Sequence, residues 1–161
     1  MTSSLSTTST TNDLIERAAR HAVMNATVNE VERRLMLVGA KLRHYGDQNH
    51  DFPTKHHFVP GMYCREIFMP KGSIVTSYIH RHEHPYVVSQ GDCWVFNDQL
   101  AWDRITAPYF GVTKAGTRRL LVMIEDTVWT TFHITNTTDI EAVEREVFIL
   151  PDNPFYPKEA A

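Results

Sequence analysis

The sequence predicts an all-β antiparallel sandwich or barrel, preceded by one or two N-terminal α-helices. Two observations carry this. From Gly61 onward, short runs rich in Val, Ile, Tyr, Phe, Trp and Thr alternate with turn signals at intervals of roughly ten residues. About eight such runs follow one another with no intervening helix, the pattern of a sandwich or barrel.

The elements follow in order. Residues 1–12 are Ser/Thr-rich, with neither the basic nor the apolar region of a secretory signal, and read as a disordered polar tail. Residues 13–46 read as a helical segment. Asp13-Leu-Ile-Glu16 has the form of a capping box and opens a stripe of Leu14, Ala18 and Ala22 beside Ile15, Ala19 and Val23. Thr27-Val-Asn-Glu30 repeats the box before Val31, Leu35, Val38 and Leu42. Gly46 to Pro60 is polar and reads as a connecting loop over one edge of the domain. The expected strands are Tyr63–Met69, Ile74–His80, Tyr86–Ser89, Cys93–Asn97, Trp102–Thr106, Phe110–Thr113, Leu120–Ile124 and Val128–Ile134. Asp139 to Phe148 reads as a short helix or edge segment. Residues 146–161 form a C-terminal tail whose stretch from Pro151 to Pro157 carries no regular signal.

Composition bounds the function. The chain of 161 residues suits one domain with a sizeable core. A net charge of −3 offers no basic field for nucleic acid or an anionic membrane, so neither is an expected partner. No apolar run approaches the roughly 20 residues that span a bilayer. Two cysteines, Cys64 and Cys93, are too few for a disulfide framework and read as reduced, buried residues of a cytoplasmic protein.

Chemistry concentrates between Gly72 and Gly91, where His80, His82 and His84 stand at alternate positions between two strand-like runs. A turn at Arg81-His-Glu83 can bring His84 beside His80. Imidazoles suit iron, nickel, copper or zinc. His82 belongs to the turn and faces solvent. His133 shares parity with Trp129 and Thr131, and either that set or Val128, Thr130 and Phe132 can face inward. Arg118 and Arg119 must point to opposite faces. Arg119 either enters the interior, where its fork can pair with a carboxylate or phosphate, or lies outside beside Glu125 or Asp126. His21, His44, His50, His56 and His57 read as surface or linker residues.

The spacing resembles the cupins, the double-stranded β-helix jelly rolls. With the closing glycine of their first motif set on Gly91, His84 stands at the usual glutamate, His80 at the second histidine and Tyr78 at the first. Lys114-Ala-Gly116-Thr-Arg-Arg119 resembles the second motif, with Arg119 in the histidine position. Residues 56–145, the expected barrel, also resemble small single-domain cupins of phage and prophage genomes. That resemblance places the protein in a cytoplasm, the host's if phage-encoded, and implies a homodimer. It implies a metal held by His80, His84 and His133, whether Fe, Ni, Zn or Mn, and a small molecule near Tyr78, Arg119 and Trp129. All-histidine sets resemble those of thiol dioxygenases, so an oxidoreductase is one expectation. The alternative is a non-catalytic ligand-binding, sequestering or structural protein with an anion at Arg119.

Overall fold

The computed structural model describes residues 7–37, 43–45, 52–97 and 99–149. Helix α1 spans Thr7–Leu37. Strands β1 to β4 are Arg43–Tyr45, Thr54–Val59, Met62–Met69 and Ile74–Ser77. Strands β5 to β8 are Ile79–His80, His84–Gln90, Asp92–Phe96 and Trp102–Thr106. Strands β9 to β11 are Tyr109–Thr113, Leu120–Met123 and Thr127–Ile134. Helix α2, Ile140–Val147, and strand β12, Phe148–Ile149, follow.

Two five-stranded sheets, β1-β4-β10-β7-β8 and β2-β3-β11-β6-β9, make the body; β12 pairs with β5. From β3 to β11 the chain keeps crossing between sheets, and only β7 and β8 form a hairpin within one sheet. Strands β3, β4 and β6 to β11 thereby form the eight-stranded double-sheet jelly roll. Alternation along the strands turns Ile67, Met69, Val75, Val88, Val95, Leu121 and Met123 into one buried core between the sheets.

Several sequence expectations change. A single helix runs through both capping boxes, because no Gly or Pro interrupts His21 to Ala26. The Thr27 hydroxyl donates to the Val23 carbonyl one turn back (2.9 Å) and does not cap a second helix. Residues 7–12, expected in the tail, are helical. Met24 and Val28 face the protein, whereas Leu14, Ile15 and Val23 are at least half exposed. The expected loop up to Pro60 contains β2, which pairs antiparallel with β3 through the turn at Gly61 (φ +80°). The tail expected from residue 146 begins inside α2 and continues as β12; its remainder from residue 150 lies outside the described residues, as do residues 1–6 and 46–51. Among the described residues, no helix is long and apolar enough to cross a membrane.

Candidate functional site

Parity on β11 fixes one wall of a cup inside the barrel. Thr127, Trp129, Thr131 and His133 are buried while Val128, Thr130 and Phe132 are partly open, so the histidine set is the interior one. His80 ends β5 and His84 begins β6, with a turn at residues 81–83 between them. The turn folds the two imidazoles together, their centroids 4.3 Å apart. His133 lies 4.5 Å from His84 and 6.1 Å from His80. The three rings thus come from three strands into one cluster. His82 is exposed in the turn, and its carbonyl accepts from His84 Nδ1 (3.1 Å).

The cluster is electrically neutral. Burial first, then the neighbouring imidazoles and Arg119, hold His80 well below the ordinary histidine range. Burial takes His84 down to about 4 and His133 down to about 3. Both ring nitrogens of His80 and Nε2 of His84 are buried without a hydrogen-bond partner. His133 Nε2 lies 3.0 Å from the Thr131 hydroxyl. Such nitrogens have the donor chemistry for a divalent ion. Their arrangement does not match it: among the described residues, no three His, Cys, Asp or Glu side chains are set so that they could hold a metal ion.

Arg119 brings the one formal charge among the side chains that line the cup. Its backbone N–H donates to Ser77 Oγ (2.8 Å), which anchors the start of β10 to the end of β4. Its guanidinium carbon lies 4.9 Å from the Tyr86 ring centroid, and Tyr86 stacks on Trp129 with centroids 4.4 Å apart. Its Nε and Nη1 are buried with no hydrogen-bond partner. Its place in the cup rules out the exterior alternative; Glu125 and Asp126 meet Lys71 instead, through its Nζ (3.2 Å) and its backbone N–H (2.8 Å). Arg118 takes the other side of the strand. It is fully buried, donates from Nε to the Ser77 carbonyl (2.8 Å), and bonds through Nη1 to Asn29 on α1.

His80, His84, Thr113, Arg119, Trp129 and Thr131 line the resulting cavity, with Ser77, Met69 and Leu121 completing it. The cavity is small, with room for a water or one small polar group. Tyr78 stands elsewhere. The strand breaks at this residue, so its ring leaves the parity of His80 and packs on Phe148 (5.5 Å) in a second apolar cluster with Val143 and Val147. Tyr86 and Thr131 have roles that the sequence reading did not assign. Each lies two residues from a candidate histidine, so strand parity was the signal for both.

Fold and site together define a jelly roll with a histidine- and arginine-lined cup. Solved structures overlap the chain in part. One is an uncharacterized conserved protein with a double-stranded β-helix domain from Klebsiella pneumoniae: 12% identity, 61% of this chain and 86% of that one, TM-score 0.47. A cupin-2 domain containing protein from Shewanella frigidimarina overlaps at 9% identity, 54% and 84% of the chains, and TM-score 0.44. An acetylacetone dioxygenase from Acinetobacter johnsonii overlaps at 12% identity, 59% and 75%, and TM-score 0.43. No family model matches the sequence, and no curated protein does. The fold assignment therefore rests on strand order and register.

Proposed function

We propose that this protein is a small-molecule-binding jelly roll whose cup receives a compact anionic group, a carboxylate or similar oxyanion, on Arg119. One observation carries the reading: two guanidinium N–H groups of Arg119 are buried at the cavity without an acceptor. A buried donor left unpaired costs about 1–3 kcal/mol, and more when charged. An anion that accepts from both recovers that cost and adds charge-assisted bonds. The neutral imidazoles of His80 and His84 offer further donors without a competing negative charge. Trp129, through Tyr86, holds the guanidinium in place.

The test is calorimetric titration with acetate, oxalate and phosphate against neutral acetamide. Saturable binding of at least one anion is expected, weakened about 10- to 100-fold in Arg119→Met, in keeping with a charged hydrogen bond of about 1.5–3 kcal/mol. Absence of anion binding, or an unchanged affinity in Arg119→Met, would sink the proposal.

A second reading is favoured by the orphan nitrogens of His80 and His84. On it, His80, His84 and His133 would have to turn from the arrangement described above to hold a divalent ion, Fe, Ni, Zn or Mn, which would supply the Lewis-acid or redox chemistry of an oxidoreductase. Metal analysis of untagged protein decides between the two. Near-stoichiometric metal, lost in His80→Ala and His84→Ala, would establish the second reading; trace metal unaffected by either change would reject it.

A further inference from the structure

The histidine end of the cup is closed by a segment outside the eight-stranded barrel. Beyond β11, the exposed residues Asn136, Thr138 and Asp139 lead into α2 and β12. Helix α2 turns Val143 and Val147 inward, into the cluster that holds Tyr63 and Tyr78. Strand β12 then sets Phe148 against the imidazoles. Its ring meets His80 edge-on with centroids 5.1 Å apart, and His133 at 6.3 Å. The guanidinium carbon of the buried Arg65 lies 5.7 Å from the same ring and pairs this strand with α2 through Glu144 (3.4 Å). From the turn after β5, Arg81 donates its backbone N–H to the Val147 carbonyl and its Nε to the Phe148 carbonyl, both at 2.8 Å.

The side chains that line the cup are buried, except Arg119, which is half-buried with Nε and Nη1 shut away from solvent. A ligand therefore reaches the cup only if some element moves. Strands β3, β6 and β11 are each paired along both edges. Strand β12 is paired with β5 alone, over two residues. Among residues 140–149, only Val143, Val147 and Phe148 are buried. A segment with so few buried apolar side chains opens at lower cost than the whole fold. We infer that α2 and β12 are a gate: they lift about the connection at residues 136–139, Phe148 leaves the imidazoles, and the ligand enters at the histidine end. Arg81 and the Arg65–Glu144 pair are the latch. The phenyl ring suits a plug, because its withdrawal breaks no hydrogen bond inside the cup. This deepens the reading above by giving the same cup its means of opening, and rests on that reading only for what is admitted.

Locking the gate tests this without assuming a ligand. Ile79 and Ile149 face each other across β5 and β12, and neither is buried. Residues so paired lie about 4.5–5.5 Å apart, a separation that a disulfide spans. Met69 lines the cup and is fully buried, whereas Met123 is as deeply buried in the core but outside the lining. Oxidation of the two by hydrogen peroxide, read by peptide mass spectrometry, compares access to the cup with wider opening of the fold. In the disulfide form of Ile79→Cys/Ile149→Cys, Met69 should oxidise at least about tenfold more slowly than in wild type, with Met123 little changed. Arg81→Leu unfastens β12 from an exposed position and should speed Met69 oxidation severalfold while Met123 keeps its rate; it carries the test if the disulfide form misfolds. A Met69 rate that the lock leaves unchanged, or a change that Met123 matches, overturns the gate. Titration of wild type with oxalate keeps the two readings apart: a protein that binds no anion, yet whose Met69 is protected by the lock, loses the anion site and keeps the gate.

Discussion

Three imidazoles kept neutral by burial make the stability of this protein depend on acid. In the unfolded chain they take up protons near pH 6.5. In the folded protein His84 does so only near about 4 and His133 near about 3, with His80 also well below its ordinary value. Below pH 6.5 the unfolded state therefore binds more protons, so stability falls as pH falls toward the folded values; above that window these groups contribute no pH dependence. At about 1.4 kcal/mol per pKa unit, His84 alone removes on the order of 3 kcal/mol by pH 4. Urea midpoints measured from pH 7 to pH 4 should fall, and His84→Gln should flatten the profile by about one proton; an identical slope in wild type and variant would contradict the neutral cluster. The histidines were legible because period two forces His133 to share a face with Trp129 and Thr131, although only the fold could choose the face. Tyr78 was misread for the same reason in reverse: parity holds only within a strand, and the strand breaks at that residue.

At the scale of elements, α1 is fastened to the barrel by polar contacts as well as by Met24 and Val28. Asn29 meets the fully buried Arg118, whose neighbour Arg119 lines the cup. Asn29→Ala removes one acceptor from a buried guanidinium and should cost about 1–3 kcal/mol in denaturant unfolding. Asn25→Ala serves as the comparison on the same helix. Equal losses from the two would show that the Arg118 contact has no special weight. The strands from Met62 to Ile134 were readable almost to their ends, because Gly and Pro punctuate alternating runs of β-formers. Three boundaries were not. The segment expected to be helical to residue 46 has its helix end at Leu37 and holds strand β1 at Arg43–Tyr45, which pairs with β4. Capping boxes look alike at a helix start and inside a longer helix, which is why Thr27 suggested a second one. The strand β2 was hidden by the polar residues Lys55, His56 and His57, whose alternation is visible only once β3 lies beside them.

The whole molecule is governed by its crossing connections. Sequence texture carried the choice of a sandwich or barrel, but strand order, which depends on contacts between distant segments, was legible only through the spacing of the glycines and histidines. The same connectivity fixes when the cup exists. Its lining runs from Met69 to Thr131 and is gathered from both sheets. Each crossing closes a loop before any contact rewards it, which places jelly rolls among slow folders, on the order of milliseconds to seconds. In stopped-flow refolding, acetate or oxalate binding should appear with the last phase and not with the first fluorescence change; early binding would mean that a half-formed barrel already presents Arg119. Ligand capture thus becomes a timer, reporting that the last strand has arrived.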